Sequence, residues 1–74
     1  MDFVVVVHRA EEGGYWAEVP ALDGCFAQGE SVEEVLEDAR GAMESHLGAL
    51  ADDGREPPPA DDGLFVATVR VPAA

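Results

Sequence analysis

The first hydrophobic signal in the chain is FVVVV at residues 3–7, a run of β-branched and aromatic side chains. It is apolar on both faces of a two-residue alternation, which predicts a strand covered on both sides. Glu11, Glu12, Gly13 and Gly14 follow as a polar turn ending in glycine. Residues 15–19 then alternate again, with Tyr15, Ala17 and Val19 on one face and Trp16 and Glu18 on the other. The two runs predict a β-hairpin. Pro20 closes the second strand because proline has no N–H to give to a ladder. Residues 21–24 make a turn, and Cys25, Phe26, Ala27 and Gln28 resume as a short third strand that Gly29 ends.

The period then changes. Ser31 followed three residues later by Glu34 is a capping box. After it Val32, Val35, Leu36, Ala39, Met43, Leu47 and Leu50 trace one helical face. Gly54 stands where a helix-ending glycine belongs. Gly41 and Gly48 each cost about 1 kcal/mol relative to alanine. Asp52 and Asp53 crowd the negative end of the helix dipole, so the last turn is expected to fray. Residues 55–63 hold three prolines and Asp61, Asp62 and Gly63, a stiff, acidic linker. Residues 64–71 alternate as a last strand with Phe65, Ala67, Val69 and Val71 on one face, and Pro72 stops it.

The predicted order is β-β-β-α-β, an α+β domain spanning residues 1–74 in which an antiparallel sheet packs on one amphipathic helix. One helix covers one face of a sheet, yet the first strand is apolar on both. That mismatch predicts a homo-oligomer, a dimer or tetramer, whose second copy covers the outer face. The linker leaves the last strand free to pair within its own subunit or with another.

Composition sharpens this picture. The 74 residues include four arginines, no lysine and sixteen acids, for a net charge of −12. Such a surface repels nucleic acid and anionic membranes and favours a cationic partner. Seven acids, namely Glu33, Glu34, Glu37, Asp38, Glu44, Asp52 and Asp53, fall on or beside the helix. The lone Cys25 makes no internal disulfide and suits a reducing compartment, and no run approaches the ~18 apolar residues of a membrane span. With no basic leader before the first strand, the expected location is the cytoplasm.

Candidate chemistry is sparse. Acids on the predicted strands do not converge, since the first has only Asp2 at its start and the last has none. The helix acids read as a solvated face, so no metal site is assigned. His8 ends a strand, His46 lies by the apolar stripe, and Cys25 is away from any helix N-terminus that would activate it. Gly13 and Gly14 precede no helix and so form no phosphate loop. No catalytic residue and no cofactor is assigned. Trp16 is the exception to this bland reading. It sits beside Glu18 on the uncovered face, where a large aromatic anchors a partner or a second copy.

The stretch from Glu12 through Gly14, Tyr15, Pro20, Leu22, Gly24 and Cys25, followed by Gly29, Glu30, Ser31, Glu34, Val35, Ala39 and Arg40, resembles the HicB family of antitoxins. The family pattern is roughly G-Y-x-A-x-x-P-x-L-P-G-C, then G-[DE]-[ST]-x-E-E-[AV] and a helix. These positions carry structural roles: Gly14 in the hairpin turn, Pro20, Leu22 and Gly24 in the crossover, Ser31 and Glu34 in the cap. The resemblance implies a partial ribonuclease H-like fold without nuclease activity, and a small basic partner toxin, HicA, that cleaves mRNA. On that basis Trp16, Glu18, Glu33, Glu37 and Asp38 are the candidate protein-binding residues. Two departures stand out. Asp23 replaces the usual proline. Many members also continue into a DNA-binding domain, whereas this sequence stops at Ala74, so operator binding is not expected. Two alternatives stay open: a solitary homo-oligomeric structural or regulatory protein, and a residual metal-dependent nuclease.

Overall fold

The computed structural model describes residues 1–73. Strands β1 (Val6–Arg9), β2 (Tyr15–Glu18) and β3 (Phe26–Gly29) form an antiparallel sheet in the order β1-β2-β3, followed by α1 (Val32–Asp52). The hairpin register pairs Val7 with Ala17 and His8 with Trp16, and Trp16 in turn stands opposite Gln28. Gly13 and Gly14, both at positive φ, close the hairpin, and the Ala10 N–H donates to the Gly14 carbonyl at 3.0 Å.

β1 begins later than the apolar run suggested. Its partner β2 stops at Glu18, just before Pro20, so residues 3–5 have no strand opposite them. The Val4 N–H instead donates to the Asp61 carboxylate at 2.9 Å. The alternation within β2 is as expected. Ala17 and Val19 are buried, and Trp16 is on the other face at 38% exposure.

The helix packs under β3 and β2. Ala17, Ala27, Val35 and Ala39 form one buried cluster, and Val19, Leu22 and Cys25 form a second that continues into Met43 and Leu47. Small side chains at the contact let the helix approach closely. Gly29 carries this furthest, because a Cβ there would stand 2.6 Å from the Val35 nitrogen. At the helix start the Ser31 hydroxyl accepts from the Glu34 N–H at 3.1 Å, and the Glu34 carboxylate accepts from the Glu30 N–H at 3.1 Å. α1 continues through Asp52 and closes with the Arg55 N–H on Leu50 (2.9 Å) and the Gly54 N–H on Ala51 (3.0 Å), with Gly54 at φ 70°. These two bonds are a Schellman closure, which satisfies carbonyls the dipole argument treated as open.

The last expected strand requires correction. Residues 64–71 carry no strand in the single chain. A strand exists through its ladder, and among the described residues nothing lies alongside this segment: Phe65 is 92% and Val69 82% exposed.

Candidate functional site

The outer face of the sheet is built by the hairpin register. Setting His8 opposite Trp16 brings the two rings into a stack, with centroids 4.1 Å apart and planes 14° apart. The His8 Nε2–H donates to Glu18 Oε2 at 2.7 Å, which fixes the imidazole over the indole. Phe26 on β3, 62% exposed, and Gln28 extend the same surface, and with Trp16, Ala27 and Asp38 they line a shallow groove of about 400 Å³. The sheet face thus presents two large aromatics with no covering layer.

An acidic border adjoins it. α1 runs under the outer edge of β3, and Asp38 reaches up to accept from the Gln28 N–H at 3.0 Å. Glu34, Glu37 and Asp38 line a second depression with Gln28 and Gly29. Two of the candidate binding residues, Trp16 and Glu18, therefore lie together on the sheet, and Glu37 and Asp38 flank them from the helix. Glu33 is exposed in the first turn of α1 and lines neither depression. The motif residues are placed as turns, caps and core: Leu22 and Cys25 are buried, Gly14 and Gly24 have positive φ, and Ser31 and Glu34 cap α1.

Three features go beyond the residues that the sequence pattern marks. His8 joins the aromatic surface through its stack, Phe26 doubles the aromatic area, and Asp38 caps a strand edge. The first was accessible by counting outward from the glycine turn. Phe26 depends on the β2–β3 register, which sets it opposite Glu18, and Asp38 on how α1 folds back under β3.

The remaining reactive groups are dispersed. His46 lies on α1 near Asp23, Leu50 and Arg55, on the opposite side of the sheet from His8. Cys25 is buried, and desolvation raises its thiol pKa above the ordinary value, so the neutral thiol is the form that is packed. Among the described residues no group of three or more His, Cys, Asp or Glu side chains comes together in a way that could hold a metal ion. No helix among them is long and apolar enough to cross a membrane.

Comparison with known proteins gives a consistent result. Residues 3–65 match the family described as HicB_like antitoxin of bacterial toxin-antitoxin system. A UPF0150 protein of Synechocystis, ssl0259, is 53% identical over 38 residues, covering 51% of this chain and 52% of that protein. A UPF0150 protein of Archaeoglobus fulgidus is 38% identical over 47 residues, covering 64% of this chain and 68% of that one. The matches thus span about half to two thirds of these relatives' own lengths. Among solved structures, a chain of a HicA3 and HicB3 toxin-antitoxin complex superposes with a TM-score of 0.69 at 28% identity, covering 84% of this chain and 72% of that chain. TTHA0281 of Thermus thermophilus superposes with a TM-score of 0.70 at 29% identity, covering 88% of this chain and 82% of that one.

Proposed function

This chain belongs to the HicB-like antitoxins of bacterial toxin-antitoxin systems, and from that premise we propose that it binds a small basic, mRNA-cleaving toxin of the HicA kind and neutralises it by occlusion. The observation that carries the reading is the aromatic surface of Trp16 and Phe26 bordered by Glu34, Glu37 and Asp38. A toxin that binds RNA presents cationic side chains. An acidic border on an exposed aromatic centre meets such a surface with the opposite potential, steers the encounter and keeps RNA off the same face. The net charge of −12 extends that field over the molecule. In this role the protein is a single binding domain, not an enzyme, and acts in the cytoplasm as a homo-oligomer without a cofactor.

The test is an RNA-cleavage assay with the basic protein encoded beside this gene. Adding this protein stops cleavage in proportion to its amount, and Trp16→Ala combined with Asp38→Lys abolishes the protection while the helical circular dichroism signal persists. Undiminished cleavage at micromolar excess of the native chain would overturn the proposal. Cleavage of RNA by this chain alone with Mg²⁺ or Mn²⁺ would favour the nuclease reading instead.

A further inference from the structure

The two edges of the sheet differ. At the β3 edge, main-chain groups are used by Asp38 and covered by the start of α1. The β1 edge is open. Ala10 bonds Gly14 across the hairpin, so in this antiparallel register the even-numbered residues of β1 face β2. The N–H and C=O groups of Val7 and Arg9 point outward. The inner face below this edge is only half covered. α1 is held to β3 through Asp38, and Leu36, two residues earlier and on the far flank of the helix, is left 44% exposed. Val5 and Val7 on the same inner face are themselves only partly buried.

A strand of matching chemistry is present in the same chain and unused. In residues 64–71 one face of the alternation is wholly apolar, namely Phe65, Ala67, Val69 and Val71, and the other carries Thr68 and Arg70. Residues 64–71 contain Arg70 and no acidic side chain, against three arginines and sixteen acids in the rest of the sequence. The base of the segment is pinned. The Asp61 N–H donates to the Asp2 carbonyl at 2.7 Å, and the Asp2 and Val4 N–H groups donate to Asp62 (2.6 Å) and Asp61 (2.9 Å). This anchor uses Asp2 and Val4, ahead of β1, and leaves the outward groups of Val7 and Arg9 unused. Beyond a turn at Gly63 the segment leaves the body. The radius of gyration is 14.3 Å, against about 11 Å for a compact chain of this length.

We propose that residues 64–71 of one copy of this chain add as an edge strand to β1 of a second copy, beside the outward main-chain groups of Val7 and Arg9. The added strand closes the open edge by main-chain hydrogen bonding. Its apolar face covers Val7 and Leu36, and the Arg70 side chain stays at the surface of an acidic body. The reciprocal arm does the same on the first copy, giving a closed pair. This rests on the homo-oligomer part of the proposed function and not on toxin binding.

The experiment is sedimentation equilibrium of the full chain without any toxin. The native chain sediments as a dimer or a multiple of it. Val69→Asp places a charge in the apolar contact and raises the dissociation constant about 100-fold or more, with the helical signal retained. Val7→Pro, which removes an outward N–H and spares the β1–β2 bonds, does the same from the other side. Mixing the two variants restores a dimer, because one intact arm still meets one intact edge. A monomeric native chain, or a Val69→Asp chain that associates as the native one does, would overturn the proposal. If Val69→Asp is monomeric yet still protects RNA, the strand exchange stands apart from the toxin reading. A dimer that fails to protect RNA rejects the toxin reading alone.

Discussion

The β3 edge and the β1 edge of one small sheet are finished in different ways, although both are built from short strands of the same hairpin-linked run. The β3 edge is closed by residues that follow it closely in the chain: Asp38 is ten positions after the Gln28 N–H it accepts, and Gly29 lies under the next turn of α1. At the β1 edge the segment that anchors nearby, Asp61 and Asp62, is nearly sixty residues on, and the alternating stretch after it stands free. A sheet edge is an aggregation hazard unless it is covered or paired. The lesson is that local sequence covers one edge, while the other stays open in the single chain because nothing close in sequence folds onto it.

The comparison breaks most severely at Gly29. Its φ is ordinary, so the demand for glycine comes from contact alone: a Cβ would meet the Val35 nitrogen at 2.6 Å and the Glu34 Cβ at 2.8 Å. Gly29→Val is expected to lift the helix off β3 and destabilise the fold by about 3 kcal/mol or more. Urea denaturation followed by circular dichroism measures it, and a loss below about 1 kcal/mol would show the helix contact to be soft. Next is Asp38→Ala. Removing the acceptor exposes the Gln28 N–H and costs about 1 kcal/mol, and it gives the protein a second open edge. The same denaturation series, together with concentration-dependent light scattering, should show both effects. The smallest effect is at the loop that joins the strands of the closed half. There the Cys25 N–H donates to the Leu22 carbonyl at 3.1 Å around Gly24 at φ 77°, a type II arrangement with Asp23 at the second position. Proline suits that position, and Asp23→Pro should stabilise by about 0.5 kcal/mol by restricting the unfolded chain. A rise in melting temperature of a few degrees is the readout, and a fall would show that Asp23 holds another conformation.

What the sequence disclosed follows the same division. The helix start was fully readable, because Ser31, Glu34 and the spacing from Val35 to Leu50 are local signals. The hairpin was readable from Gly13 and Gly14, and Trp16 was placed on the open face by counting alternate positions. The strand boundaries shifted because Pro20 truncates β2 and so leaves Phe3 to Val5 without a partner. The last strand was visible as a pattern, but a pattern in residues 64–71 does not specify its neighbour, and strand formation depends on that neighbour. Of the candidate surface, Trp16, Glu18, Glu37 and Asp38 were named from sequence and fall around one outer region, whereas Glu33 stands apart. Phe26 and His8 joined that region only through cross-strand geometry.

The central claim is that this acidic, aromatic surface receives a cationic toxin, and titration calorimetry tests it most directly. The full chain is titrated with the basic protein encoded beside it, at low and at high salt. Binding is expected below about 1 μM at low salt, at least about tenfold weaker in high salt as the charges are screened, and lost in Trp16→Ala. No heat of binding at micromolar concentration and low salt, or affinity indifferent to both salt and Trp16, would contradict it.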